Sequence, residues 1–274
     1  MKEGKLTQIL RARKDILGAV EENRNLAIKA KGEGGYETQE DEWDVYDSSL
    51  ADMAEAFNVS LPKNWVKENY SRMESWQLFE RYIQETLSQG EEHNLTAVEF
   101  GGPGSSLFID FRNNFFKNTV GVCLKDIRSA LRKEIDEKNN HSIITGDILN
   151  VSNTELIDNV IRTLGTKKTD LIISRMQGPL GFINKHPAIL DRIIRNWYSI
   201  LNRNGLMFVQ FEYERGDHLP LGQEGTVGSL IEKWSIEIKR RFPEIDIQVE
   251  EGVMRLHKRT GSPENLPPAT QLFT

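Results

Sequence analysis

Residues 96–106 read TAVEFGGPGSS. Five residues of strand character end beside a carboxylate, Glu99, and run into three glycines, a proline and two serines. A short apolar run closed by glycine predicts a buried strand. Glycines straight after it tolerate positive φ and let backbone approach a bulky ligand closely. The same cluster also serves as a plain strand–helix turn, so the rest of the chain has to choose between the two.

Downstream, strand and helix patterns alternate. A helix is expected around residues 106–117, then a strand TVGVCL, a helix DIRSALRKEIDEKN and a strand HSIITGD. SNTELIDNVIRTLG is a helix with a capping box, Ser152 with Glu155, and a stop at Gly165. TDLIISRM is the fourth strand, and PAILDRIIRNWYSIL places Ile189, Leu190, Ile193, Ile194, Trp197 and Leu201 on one helix side. LNRNG is a tight turn into the strand GLMFVQFEY, and VGSLIEKWSIEIKRRF is a helix stopped by Pro243. EIDIQVEEGVMRLHKR closes the pattern as two strands joined by a Glu-Gly link. Such alternation predicts right-handed βαβ units and a doubly wound, mostly parallel α/β sheet, with an antiparallel pair at one edge.

Before residue 90 the pattern is helical. LTQILRARKDILGAVEENRNLAIKA, SSLADMAEAFNV and SRMESWQLFERYIQETLSQG carry helical spacing, separated by the glycine-rich acidic stretch KGEGGYETQEDEWDVYD. In the last helix Met73, Trp76, Phe79, Tyr82, Ile83 and Leu87 share a face. Two parts are therefore expected: a helical N-terminal extension or cap, 1–90, and a Rossmann-like domain, 91–274.

Composition narrows the function. The 274 residues carry a net charge of −6, which speaks against a strong nucleic-acid footprint. No run approaches the roughly 20 apolar residues of a membrane helix. The charged N-terminus lacks an apolar signal region. One cysteine, Cys123, excludes an intrachain disulfide framework and suits a reducing cytoplasm. Five scattered histidines show no metal-ligand spacing, so no metal site is expected.

In doubly wound sheets ligands bind beyond the carboxyl ends of the strands, near the switch in strand order. The residues after each strand here are VEFGGPGS, then VGVCL, ITGDIL and TDLIISRM, followed by ILNRNGLMFVQFE. This succession, over residues 97–258, resembles the class I S-adenosylmethionine-dependent methyltransferases. The resemblance implies a seven-stranded sheet with an antiparallel terminal strand, S-adenosylmethionine as cofactor, and transfer of its methyl group. It implies that Glu99 helps hold the methionine amino end, that Gly101, Gly102 and Gly104 give close backbone approach, and that Asp147 meets the adenine amino group. Ser105, Leu124, Ile148, Ser174 and Arg175 are implied along the same pocket. Asp170 opens the fourth strand.

One departure stands out. The second strand ends in VGVCL, where the family usually carries an acid for the ribose hydroxyls. Cys123 occupies that place, and Asp126 either takes over the contact or caps the following helix. Plainer readings exist for Glu99 as a sheet-end residue, Asp147 as a turn residue and Cys123 as a small buried apolar side chain.

Catalysis is less marked. Arg175, His186, Glu212, Tyr213 and His218 are the candidates facing the pocket; the last three sit in or beside the long connection FEYERGDHLPLGQEG. Trp65, Tyr70 and Trp76 either line an acceptor pocket or cover the sheet. The absence of an Asn/Asp-Pro-Pro-Tyr/Phe string argues against methylation of nucleic-acid bases, and the acidic balance favours a small-molecule acceptor. Two alternatives are a catalytically silent methyltransferase-like binding module and an NAD-dependent oxidoreductase. The second is disfavoured because GGPGSS does not match G-x-G-x-x-G.

Overall fold

The computed structural model describes residues 47–88, 94–111, 115–123, 126, 128–146, 148, 155–175, 187–211 and 226–268. Seven strands form one sheet in the order β3-β2-β1-β4-β5-β7-β6. They are β1 (Thr96–Phe100), β2 (Asn118–Cys123), β3 (His141–Thr145), β4 (Thr169–Arg175), β5 (Leu201–Gln210), β6 (Ile245–Glu250) and β7 (Val253–Lys258). Neighbours from β3 to β5 pair in parallel, and β7 runs antiparallel to both β5 and β6. The mixed sheet that the alternation predicts is present. The closing hairpin is not simply appended, however: β7 inserts between β5 and β6, and β6 forms the edge. Burial accounts for this, since five of the six β7 residues are buried and four of the six in β6 are not.

Helices cover both faces. On one lie α1 (Leu50–Phe57), α2 (Lys63–Asn69), α3 (Ser75–Leu87) and α4 (Ser105–Asp110). The stretch before residue 90, as far as it is described, thus supplies a helix layer of the sheet. Phe57 and Phe79 close over Phe208 of β5, with ring centroids 5.6 and 5.1 Å away. Trp65 packs edge-on against Tyr82 and donates to Glu85, Trp76 donates to Glu74, and Tyr70 is largely exposed. The other face carries α6 (Glu155–Leu164), α7 (Pro187–Ser199) and α8 (Thr226–Arg241), with Trp197 stacked on Phe100 at 4.5 Å. α5 (Ala130–Lys138) follows β2.

Some boundaries differ from expectation. The helix expected around residues 106–117 spans only Ser105–Asp110, because Phe111 turns extended and joins Phe108 and Phe116 in the core. β5 begins at Leu201, ahead of the expected Gly205. Thr169 pairs with Leu201 and Leu171 with Leu206, so the Asn-rich turn becomes an irregularity within the strand, and Asn204 takes φ 63° there. Asp170 holds that point, accepting from the Thr96 N–H at 2.8 Å and from Asn202 at 2.7 Å. The Ser152 capping box lies outside the described residues.

Candidate functional site at the carboxyl edge

The register aligns one end of the sheet. Thr145, Cys123, Arg175, Gln210, Val253 and Glu250 mark the carboxyl level of β3, β2, β4 and β5 and the connected ends of β7 and β6. From β1 the chain winds outward through β2 and β3, then returns to β4 on the other side of β1. The glycine loop therefore sits at the topological switch point, where such sheets open a crevice.

Glu99 is the centre of this loop. It lies on β1 facing the α1–α4 layer and is 2% exposed. Its side chain folds over the glycines: a Cβ on Gly102 would stand 2.3 Å from Glu99 Oε1, so any larger residue there would push the carboxylate aside. The Gly104 N–H donates to the carboxylate, while Oε2 is buried with no hydrogen-bond partner among the described residues. Burial, then the nearby Asp47 charge, push the Glu99 carboxyl up to about 8, against the opposing pull of Arg175 and the Gly104 N–H. Gly104 turns left-handed, φ 68°, as the residue capping α4.

A second tier holds the loop. A Cβ on Gly121 in β2 would stand 1.8 Å from the Pro103 carbonyl oxygen, so the loop rests directly on bare strand backbone. His141 pins the same carbonyl. A carbonyl only accepts, so His141 Nε2 donates to Pro103 O at 2.8 Å, and Nδ1 accepts from the Thr119 hydroxyl at 2.8 Å. Burial lowers the His141 pKa, keeping the ring neutral in this tautomer. Ser105 donates to Asp136 of α5 at 2.7 Å. Asp136 is fully buried and pairs with Arg128 at 2.7 Å and Arg132 at 3.2 Å.

Asp126 belongs to the same group of charges. Its oxygens accept from the Arg128 guanidinium at 3.0 Å twice and from the Arg128 N–H at 3.1 Å, with Lys133 at 3.6 Å. The Arg128 hydrogen bond is the leading cause holding the Asp126 carboxyl at about 2. Asp126 does not cap α5, since Ser129 does so by accepting from the Arg132 N–H. Cys123, at the end of β2, is buried.

The remaining expected positions divide. Ser174 is buried and its hydroxyl donates to Phe100 O at 2.7 Å. Ile148 is buried in the core on the α6–α8 side. Arg175 is half-buried, bonded to Ser48 and Gln210. Leu124, Asp147, His186, Glu212, Tyr213 and His218 lie outside the described residues. The structure brings Glu99, Gly101, Gly102, Gly104 and Ser105 together in the loop, and Arg175 beside Glu99. Reading the sequence alone missed Asp47, Gly121, Arg128, Asp136 and His141. Only Gly121 carried a local signal, a glycine inside a strand pattern, which marks close backbone approach.

The seven-stranded sheet and the antiparallel β7 match what the resemblance implied. The fold is that of the class I methyltransferases. No protein-family profile matches the chain, and no curated protein matches it by sequence. Solved structures do match. An rRNA methylase from Streptococcus thermophilus is 11% identical over 67% of this chain and 95% of its own, with a TM-score of 0.41. A TehB-like S-adenosylmethionine-dependent methyltransferase from Corynebacterium glutamicum is 12% identical, covering 70% of this chain and 97% of its own, with a TM-score of 0.34. An S-adenosylmethionine-dependent methyltransferase from Clostridium acetobutylicum is 14% identical over 53% of each chain, with a TM-score of 0.35. This chain thus spans about half the length of the last. Among the described residues no helix is long and apolar enough to cross a membrane, and no group of His, Cys, Asp and Glu is arranged to hold a metal ion.

Proposed function

We propose that this chain is an S-adenosylmethionine-dependent methyltransferase acting on a small-molecule acceptor. The observation that carries the reading is Glu99: a carboxylate with a buried oxygen that has no partner among the described residues, folded over glycines at the switch point. A buried acceptor left unpaired is costly, and a primary ammonium at that spot would satisfy it. The methionine end of the cofactor supplies such a group, so the loop fits it.

In this reading Glu99 holds the amino group, and Gly101, Gly102 and Gly104 admit the ligand close to the backbone. Asp126, kept ionised and oriented by Arg128, meets the ribose hydroxyls, because Cys123 offers no carboxylate. Asp147 meets the adenine amino group, with Leu124 and Ile148 alongside. The hydroxyls of Ser105 and Ser174 are spent on Asp136 and Phe100, so these residues shape the loop and strand end. When bound, the cofactor supplies a methyl group on a sulfonium, open to in-line attack. The chain's own work is to align the acceptor and exclude water. An acceptor with a free lone pair needs no base. One that must shed a proton would use His186, Glu212, Tyr213 or His218. The net charge of −6 supports a small acceptor over nucleic acid, and the single cysteine supports a cytoplasmic location.

Calorimetric titration with S-adenosylmethionine, S-adenosylhomocysteine and NAD tests this directly. Binding of both sulfur ligands is expected. No heat with either, in protein shown to be folded, would sink the proposal, and heat with NAD alone would favour an oxidoreductase. The silent-module reading is favoured by one observation, the buried thiol at the end of β2. Tight S-adenosylhomocysteine binding without transfer of labelled methyl to any component of a metabolite extract would select it.

A further inference from the structure

The segment leading into α1 crosses the site. Asp47 accepts from the Ser106 N–H at 2.9 Å and from the Ser106 hydroxyl at 2.8 Å, and Arg132 approaches it at 3.3 Å. Ser48 is buried and accepts from Arg175 at 3.1 Å. These pins tie two consecutive residues to the first turn of α4, to α5 and to the end of β4. Glu99 lies between the same elements, bonded by Gly104 two residues before Ser106 and facing Arg175. Asp47 is close enough for its charge to act on the Glu99 carboxyl.

Two carboxylates whose charges reach one another repel unless they share a proton or hold a cation. Asp47 is already set in place by Ser106 and Arg132. The Glu99 oxygen Oε2 is the group left without a partner among the described residues. We propose that Asp47 is the second carboxylate of the subsite for a ligand's primary ammonium, placed by the segment before α1 to act with Glu99. Ser106 and Arg132 position it, and Ser48 with Arg175 holds the segment down. This rests on the cofactor reading above and extends it: selectivity for the amino group comes from two segments distant in the chain. No covalent step is involved.

The test compares two probes, S-adenosylhomocysteine and its analogue lacking the α-amino group, on wild-type protein and on Asp47→Asn. Wild type is expected to prefer the amino-bearing probe. Asp47→Asn should weaken that probe by about tenfold, the loss of one charge-assisted contact, and leave the des-amino analogue unchanged. Equal weakening of both probes would mean that Asp47 only holds the segment, and would overturn the proposal. So would no change with either. If Asp47→Asn does not fold, Ser106→Ala keeps the carboxylate but loosens it, and must shrink the preference between probes. An unaltered preference there overturns the proposal. Failure of folded wild type to bind either probe would instead bring down the cofactor reading itself, and this inference with it.

Discussion

The two strand ends flanking the crevice are built in opposite ways. At β1 the chain buries a carboxylate among glycines, so Glu99 is raised to about 8 and one of its oxygens has no partner among the described residues. At β2 the strand ends in a buried thiol, and Asp126, three residues on, lies in an ion pair with Arg128 that holds it at about 2. The first end is under electrostatic strain and suited to receive a cation. The second is neutralised within the protein and keeps a permanently ionised, oriented acceptor. Both are tied to Asp136, through Ser105 on one side and Arg128 on the other.

The largest effect that breaks this comparison is expected at Gly121, on which the loop rests. Gly121→Val drives a side chain into the Pro103 carbonyl, a backbone group that cannot swing away. Denaturant unfolding should show a loss of about 3 kcal/mol or more, as overpacking against fixed backbone does, with cofactor binding abolished.

Glu99→Gln separates stability from binding. With its folded pKa near 8 and its ordinary value at 4.5, the folded protein binds more protons than the unfolded chain between those values. The Glu99 contribution to stability should therefore fall as pH rises from 4.5 through about 8. Glu99→Gln should remove that slope, so that it melts above wild type at pH 9, while S-adenosylhomocysteine binds it about tenfold or more weakly. Urea melts from pH 5 to 9 check the first half and calorimetry the second. A stability gap between wild type and Glu99→Gln that does not move in the variant's favour as pH rises over this range would contradict the account.

His141→Gln probes the tier that both ends share. A neutral buried histidine with a lowered pKa contributes stability above its ordinary 6.5, and that stability is lost as pH falls below it. The substitution should cost about 1–2 kcal/mol at pH 8 and less at pH 5, measured by the same melts.

The smallest effect is expected at Asp126. Asp126→Asn should change stability at pH 7 by less than about 1 kcal/mol, because solvent reaches Asp126 and Arg128 keeps its second partner, Asp136. The wild-type contribution is present above the ordinary pKa of 3.8 and fades as pH falls through about 2. Affinity for S-adenosylhomocysteine should nonetheless drop severalfold. Unchanged affinity would remove Asp126 from the ribose contact and leave the β2 end without a carboxylate.

Much of the fold is legible along the chain because it rests on local periodicity. TAVEF is the strand Thr96–Phe100, and TDLIISR is β4. Gly165 stops α6 at φ 70°. Legibility fails where long-range packing competes with local preference. Phe111 leaves the helix that the pattern extends to residue 117, because the aromatic core beneath α4 takes its ring. β7 slots between β5 and β6 because only an inner position buries both of its faces. In the site, the glycines and Glu99 announce themselves by following a strand, whereas Asp136 and His141 look like ordinary polar residues of a helix and an edge strand.

By itself the sequence determined the alternating layers, the glycine loop at the first strand and the missing carboxylate at the second, all properties of neighbours in the chain. Tertiary structure alone decided what those residues experience. Asp47 meets Ser106 across 59 positions, and Arg175 reaches Ser48 across 127. The burial and the raised carboxyl of Glu99 arise from groups that only folding brings within reach, because electrostatic and desolvation effects depend on distance in space.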